Sequence, residues 1–215
     1  MKKSRFIQTL VAVTVLCFGT TAFAATQVVV NGSTTVLPVA QAAAEAYMKS
    51  HSDVSISISG GGSGNGIKAL IDGTTDIANS SRFLKDKEVQ SAMEKGVYPV
   101  PFRIAMDAIV PIVHPRNPVK DLTVEQLSLI YQGKIRNWKE VGGEDLQIVI
   151  VSRDTSSGTY EVWEEKVLHK AKVSPRAQLQ ASNGAVSQAI SKNRYAIGYI
   201  GFGYLNKDVK ALQVN

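Results

Sequence analysis

Three short polar segments carry most of the side chains in this sequence that could bind an anion. They are residues 32–35, residues 60–66 and residues 155–159, the last of which begins two positions after Arg153. Each follows a stretch typical of a strand and precedes an apolar pattern typical of a helix. Because a helix N-terminus presents unpaired N–H groups and the positive end of its dipole, each segment is a candidate anion site. One such segment alone is more simply an ordinary helix cap or turn, whereas three in one small chain, one of them beside an arginine, favour convergence on an anion.

Other chemistries that these residue types could support lack their sequence motifs. Residues 61–66 have the glycine spacing of a P-loop, but Ile67 occupies the position of the phosphate-binding lysine. The sequence contains no G-x-S-x-G elbow for a serine hydrolase. It also contains no H-E-x-x-H motif and no cluster of Asp and His side chains that would hold a metal. We therefore expect neither a metal nor another cofactor.

The first 24 residues have the layout of a secretory signal peptide. A basic start at Lys2, Lys3 and Arg5 is followed by an apolar stretch over residues 6–18 and by small residues up to Ala24. The apolar stretch is too short to span a bilayer, which disfavours the alternative of an N-terminal membrane anchor. We predict cleavage after Ala24 and export to the periplasm.

The cysteine content and the net charge of the chain disfavour two further classes of function, thiol chemistry and nucleic-acid binding. The single cysteine, Cys17, lies in the leader and follows Leu16 rather than the small residue of a lipoprotein signal, so the mature chain has no thiol or disulfide chemistry. Three of the 24 basic residues and none of the 18 acidic ones lie in the leader, which lowers the net charge from +6 to +3. The basic residues are scattered and form no block interleaved with aromatics, so we expect no nucleic-acid partner.

Strand-like and helix-like segments alternate along the whole chain. The pattern predicts an α/β protein with mixed, largely parallel sheets. A capping box of Thr123 and Gln126 predicts a helix over residues 124–131. Prolines confine two of the strand candidates, 97–102 and 109–113, to sheet edges or strand ends. The strand candidates are residues 27–30, 54–59, 97–102, 109–113, 147–152 and 196–200.

Taken together, these segments resemble the phosphate-binding proteins of ABC-type importers, which belong to the periplasmic-binding-protein superfamily. The resemblance runs from about Val28 to the C-terminus and is strongest over residues 32–38, 60–68, 76–82, 127–138, 153–159 and 196–199. It implies two lobes joined by crossover hinge segments, with lobe 1 over residues 25–105 and lobe 2 over residues 106–202. Whether residues 203–215 return to lobe 1 stays open. It also implies a monomeric, non-enzymatic protein that captures inorganic phosphate for a membrane permease.

The resemblance further implies which residues bind phosphate. Better-known members carry an Asp after the serine that matches Ser80, where this sequence has Ser81. Asp107 is the candidate acceptor for the phosphate proton, with a hinge carboxylate as an equal alternative. Arg82 is either a second cationic ligand or a solvated residue at a helix end. The expected ligand residues are Ser33, Thr34, Thr35, Ser63, Ser81, Arg82, Asp107, Arg153, Ser157, Gly158 and Thr159.

The sequence leaves three alternatives to phosphate capture open. The ligand could be another tetrahedral oxyanion, namely sulfate, molybdate or tungstate. The same donors could serve a metal-free phosphatase, or the lobe could be adapted as a sensor or adhesion module. Members of this family normally continue past the segment that matches residues 207–215 and return to the first lobe. If this chain ends at Asn215, we expect exposed apolar surface on its first lobe.

Overall fold

The computed structural model of the chain describes residues 25–215, so the signal peptide predicted for residues 1–24 lies outside the described residues. In the described part, no helix is long and apolar enough to cross a membrane. The strands are β1 (Thr26–Gly32), β2 (Val54–Gly60), β3 (Ile77–Asn79), β4 (Ile109–Val113), β5 (Asp121–Leu122), β6 (Val149–Arg153), β7 (Gln178–Gln180), β8 (Ala196–Gly201), β9 (Lys210–Ala211) and β10 (Gln213–Val214). The α-helices are α1 (Leu37–Ser50), α2 (Ser63–Ile71), α3 (Asp86–Glu94), α4 (Val124–Tyr131), α5 (Gly158–Lys166) and α6 (Asn183–Ser191).

The first sheet is parallel and has the strand order β2-β1-β3. Its β-branched residues are consecutive over residues 28–30 in β1 and alternate with serines along β2, and α1 and α2 form the crossovers that parallel strands require. In this register Gly32, the last residue of β1, pairs with Gly60, the last residue of β2. The polar segments that follow these two strands therefore emerge side by side at the carboxyl edge of the sheet.

The second sheet has five strands in the order β7-β6-β8-β4-β9. Strands β7, β6 and β8 are parallel, and β4 runs antiparallel to β8 and β9. Three fully buried aromatic rings fill the core against this sheet: Trp163 stacks on Tyr199 at 4.3 Å, and Tyr131 meets Trp163 edge-on at 5.1 Å. This packing holds α5 against the end of β6, which bears Arg153.

The structure confirms the predicted α/β class with mixed, largely parallel sheets, but one strand prediction is wrong. Residues 97–108 form no strand. Pro99 and Pro101 lack N–H groups at alternate positions, which removes two consecutive donors from the same edge of an extended chain. The apolar side chains between and beside them stay in solvent, with Tyr98 exposed to 73% and Phe102 to 82%.

The C-terminal segment contributes β9 to the second sheet and β10 to a separate two-stranded sheet with β5. β9 pairs with β4, and β10 pairs with β5, so residues 203–215 do not join the first sheet. Whether this segment belongs to lobe 1 stays a prediction. The lobe boundaries themselves stay a prediction. On the first-sheet side, large apolar side chains are exposed, among them Val39, Ile77 and Met93 at 50% or more.

Candidate anion-binding site

The three polar segments of the sequence lie at strand-to-helix junctions, and they meet. Thr35 Oγ1 from the first segment lies 2.8 Å from Thr159 Oγ1 of the third. Gly64 N in the second segment donates to Ser156 O in the third at 2.9 Å. Loops of the two sheets therefore face each other, and the N-termini of α2 and α5 come together between them.

Arg153, the last residue of β6, is the charged centre of this arrangement. It is 1% exposed. Its Nε donates to Gln180 O at 3.1 Å, and its Nη2 donates to Ala181 O at 3.0 Å and to Thr34 Oγ1 at 3.4 Å. Its Nη1 is buried and has no hydrogen-bond partner among the described residues.

Burial lowers the pKa of the Arg153 guanidinium, because a low-dielectric surrounding disfavours the charged form. A guanidinium nevertheless stays protonated in proteins, so the charge remains. Within residues 25–215, no carboxylate forms an ion pair with Arg153. A buried cation without a counter-charge is costly, and an anion bound at Nη1 would offset that cost.

Buried hydroxyl groups from both sides meet at this junction, and the Thr34 hydroxyl contacts the guanidinium. Thr34, Ser63 and Thr159 are exposed to 6% or less. Ser63 Oγ lies 3.2 Å from Ser81 Oγ and accepts from Ser81 N at 3.0 Å. A Cβ at Gly158 would collide with Ser63 Oγ and lie 2.7 Å from Ser81 Oγ, so only glycine allows α5 to approach these hydroxyls.

Tyrosine hydroxyls hold the two sides of the site in place. Tyr199 OH accepts from Arg153 N at 3.2 Å and lies 3.0 Å from Ser152 Oγ, and burial raises the pKa of Tyr199 to about 12. Tyr204 OH donates to Thr34 O at 2.6 Å. Both phenols remain neutral at physiological pH and add no negative charge beside a bound anion.

A comparison with protein families matches the PBP superfamily domain to residues 19–213. The chain belongs to the PBP superfamily. It is 37% identical over 183 residues to the phosphate-binding protein PstS of Staphylococcus epidermidis, an alignment that covers 83% of this chain and 56% of that protein. The chain thus spans little more than half the length of this curated relative.

Solved structures of superfamily members agree with this assignment. A putative phosphate ABC transporter substrate-binding protein from Clostridium perfringens, solved with bound phosphate, is 43% identical with a TM-score of 0.81, over 87% of this chain and 75% of that one. An ABC-type phosphate transport receptor from Vibrio cholerae is 35% identical with a TM-score of 0.65, over 87% and 76% of the two chains.

Most of the expected ligand residues lie together in this superfamily member. The cluster contains Thr34, Thr35, Ser63, Ser81, Arg153, Gly158 and Thr159. Two expected ligands hold the local backbone through their hydroxyls: Ser33 Oγ accepts from Thr35 N at 3.2 Å, and Ser157 Oγ caps α5 by accepting from Tyr160 N at 3.2 Å. The first helix begins at Leu37, so Thr34 and Thr35 lie in the turn before it rather than in its first turn.

Arg82 points to carboxylates. Its Nη1 and Nη2 form a bidentate pair with Glu88 at 2.7 Å each, and its Nε lies 2.9 Å from Glu161 Oε2 on α5. The hydrogen bond to Glu88 is the main cause of a raised pKa at Arg82. Lys85 Nζ also contacts Glu161, at 2.7 Å. The two ion pairs to Glu161 join the segment after β3, which carries Arg82 and Lys85, to α5 at the border of the site.

Asp107 lies beside the cluster and is exposed. Its Oδ1 accepts from Phe202 N at 3.2 Å. Its Oδ2 lies over Gly201, where an added Cβ would be 2.8 Å from both this oxygen and the methyl group of Thr35. The position is compatible with both interpretations of Asp107, the proton acceptor and the hinge carboxylate.

The sequence interpretation missed Asn183. This residue is 0% exposed, begins α6 and donates from Nδ2 to Thr34 Oγ1 and to Thr35 Oγ1, at 3.0 Å each. The local signal was present, because residues 182–184 are a fourth polar Ser-Asn-Gly segment between a strand and a helix. Within residues 25–215 there is no group of three or more His, Cys, Asp or Glu side chains that could hold a metal ion.

Proposed function

We propose that this chain is the periplasmic solute-binding protein of an ABC-type importer and that it captures inorganic phosphate at the Arg153 site. The observation that carries the proposal is the buried guanidinium, whose Nη1 lacks a protein partner and whose charge lacks a counter-ion among the described residues. A guanidinium edge suits a tetrahedral oxyanion, because it can donate two parallel hydrogen bonds. The function needs no catalytic step and no cofactor.

The donors around Arg153 are numerous enough for tight binding. Thr34, Ser63, Ser81 and Thr159 supply hydroxyls, and the first turns of α2 and α5 supply backbone N–H groups. A hydrogen bond to a charged group contributes about 1.5–3 kcal/mol net. Micromolar affinity requires about 8 kcal/mol, so a handful of such bonds suffices even after the cost of ordering the site.

Capture is proposed to occur by closure of the two lobes. The contacts that join the two sides lie around the Arg153 site: the Thr35–Thr159 hydroxyl pair, the backbone bond from Gly64 to Ser156, and the Arg82–Glu161 ion pair. Closure of this kind replaces the water around the anion with fixed donors. In this proposal Arg82 acts as a clamp between lobes, and Asp107 is the candidate acceptor for the phosphate proton. The closed, monomeric protein would then dock on the membrane permease.

The names of the relatives support phosphate as the ligand. The Staphylococcus epidermidis relative is named for phosphate binding, and the Clostridium perfringens relative was solved with phosphate bound. Both are more than 35% identical to this chain, and both are longer than the part they share with it. The transport role of the whole protein is therefore part of the proposal.

Calorimetric titration of the purified protein with phosphate, sulfate, molybdate and arsenate tests the proposal. We expect saturable binding of phosphate and arsenate and much weaker binding of sulfate and molybdate. Preference for sulfate or molybdate would overturn the assignment of the ligand, and failure to bind any oxyanion would overturn the function. Incubation with p-nitrophenyl phosphate in the presence of a chelator should give no turnover. Turnover would identify a metal-free phosphatase instead.

A further inference from the structure

The amide of Asn183 has one orientation that its neighbours allow. Gly201 N donates to Asn183 Oδ1 at 3.1 Å, and a backbone N–H can only donate. The atom that faces Gly201 must therefore be the oxygen, which turns the NH2 group toward Thr34 and Thr35. This NH2 group has two hydrogens, and it has two hydroxyl acceptors at 3.0 Å, Thr34 Oγ1 and Thr35 Oγ1.

The Thr34 hydroxyl is consequently surrounded by donors. Besides Asn183 Nδ2, its oxygen faces the backbone N of Asn183 at 3.4 Å and Arg153 Nη2 at 3.4 Å. All three groups carry hydrogens that they can only give, so none can accept the hydrogen of Thr34. The residue is 6% exposed, and no acceptor for its hydroxyl hydrogen lies among the described residues. That hydrogen can be satisfied only by an acceptor in the site.

The Thr35 hydroxyl is constrained in a similar way. It accepts one hydrogen from Asn183 and lies 2.8 Å from Thr159 Oγ1. Whichever of the two threonines donates to the other, the pair keeps one hydrogen for an outside acceptor. If Thr35 donates to Thr159, the free hydrogen is that of Thr159, which is 2% exposed, so its acceptor must also be in the site. If Thr159 donates, the free hydrogen is that of Thr35, which is only partly buried at the border of the same site.

We propose that Asn183 is a positioning residue that turns the hydroxyl hydrogens of Thr34 and of the Thr35–Thr159 pair toward the bound anion. It acts through these hydroxyls and does not need to touch the ligand. Because the hydrogens are directed before binding, the site presents donors to ligand oxygens that carry no hydrogen. The inference rests on the proposed function and extends it to a residue outside the expected ligand set.

The decisive variant is Asn183→Asp, which exchanges the donor end of the side chain for an acceptor. It keeps the oxygen that accepts from Gly201 N, and its shape is nearly the same, so the effect on folding should be small. A carboxylate would accept the threonine hydrogens and turn them away from the ligand. Phosphate affinity at pH 8 should fall by at least about 100-fold. Position 183 is fully buried, and burial raises the pKa of a carboxyl group above its ordinary value of about 3.9, so the ratio of wild-type to variant affinity should shrink toward pH 5 as this group gains a proton. Taking this ratio at each pH cancels the protonation of phosphate itself.

Asn193→Asp is the matched control, because it makes the same change at the other end of α6. Asn193 Oδ1 also accepts a backbone N–H, from Tyr195 N at 3.0 Å. This variant should bind phosphate within about threefold of wild type at every pH. An equal loss in both aspartate variants would overturn the proposal, as would wild-type affinity in Asn183→Asp.

A double-mutant cycle with Thr34→Val separates hydroxyl orientation from simple charge repulsion. If Asn183 acts through the hydroxyl, the loss caused by Asn183→Asp should be at least fivefold smaller when Thr34 is already valine. An undiminished loss would mean that the added charge alone weakens binding, and would overturn the proposal. Should Asn183→Asp fail to fold, Asn183→Ala takes its place in the cycle with the same expected coupling.

One comparison needs no change at Asn183. Thr34→Val should weaken phosphate binding by at least about tenfold, whereas Thr34→Ser keeps the hydroxyl and should stay within about threefold. Equal affinities of the two variants would overturn the directed hydroxyl. If wild-type protein binds no oxyanion at all, the proposed function fails before any variant is compared.

Discussion

Arg153→Ala removes the charged centre of the proposed site, and its effect on binding can be worked out from the contacts of the guanidinium. Nε and Nη2 are held by protein acceptors, while Nη1 brings two hydrogens without partners among the described residues. Two charge-assisted hydrogen bonds to an anion contribute about 3–6 kcal/mol together. Water that enters the space left by the side chain would recover part of this. We expect a net loss of about 2–4 kcal/mol, or roughly 30–1000-fold in phosphate affinity.

The same substitution should affect the ligand-free protein only moderately. It leaves the carbonyl groups of Gln180 and Ala181 without their donor, which costs about 1–3 kcal/mol where no water replaces it. It also removes a buried charge that has no counter-ion among the described residues, which offsets part of that cost. Circular dichroism should show a folded protein, and the rise in melting temperature that phosphate causes in wild type should vanish in the variant.

Calorimetry with phosphate measures the predicted loss, and Arg194→Ala is the control. Arg194 is also on the second-sheet side, but its side chain is 43% exposed and pairs with Glu144 at the surface. An exposed pair of this kind contributes at most about 1 kcal/mol to stability and should not affect phosphate binding. If folded Arg153→Ala binds phosphate within about threefold of wild type, the anion does not bind at this guanidinium and the reasoning is refuted.

Three further predictions concern selectivity, closure and export. Asp107→Asn should weaken phosphate binding and lower the ratio of phosphate to sulfate affinity in parallel titrations, because an amide can donate to either anion. An unchanged ratio of affinities would identify Asp107 as a hinge carboxylate. Glu161→Gln should weaken phosphate binding by about 3–20-fold, because the side chain that pairs with Arg82 loses its charge. The phosphate affinity of this variant should also depend less on NaCl concentration than that of wild type. Equal salt dependence would exclude a role of this pair in closure. The intact mass of protein from a periplasmic extract should match a chain that starts at Ala25, whereas an acylated chain that retains Cys17 would contradict the predicted cleavage.

Local sequence signals were sufficient to locate the strand-to-helix junctions of the site. A β-branched run, a few Gly, Ser or Thr residues and an apolar helical stripe lie within about twenty residues of one another, and the structure places α2 and α5 where these signals predict them. The capping box at α4 is a similar case, since Thr123 Oγ1 accepts from Gln126 N and Gln126 Oε1 accepts from Thr123 N. Such patterns are determined by backbone geometry over a few residues.

Local signals failed where the outcome depended on strand partners. Residues 97–102 have the composition of an edge strand, but the structure shows no strand over residues 97–108. Local patterns also did not show where the C-terminal residues go, and the structure pairs residues 210–214 with β4 and β5. Strand formation requires a neighbour with free N–H and C=O groups, and one sequence does not show which neighbour is near.

The sequence by itself determined the chemical groups of the candidate site, namely hydroxyls and backbone N–H groups near helix starts with an arginine beside them. Only the tertiary structure decided how these groups are used. Arg82 is paired with Glu161, 79 positions away along the chain, so its guanidinium contacts carboxylates where the sequence left open an anion ligand or a solvated residue. Asn183 and Thr34 are separated by 149 positions and still share a hydrogen bond of 3.0 Å. Hydrogen bonds and ion pairs depend on distance in space, and packing of the two sheets sets that distance between residues that no periodicity of the sequence connects.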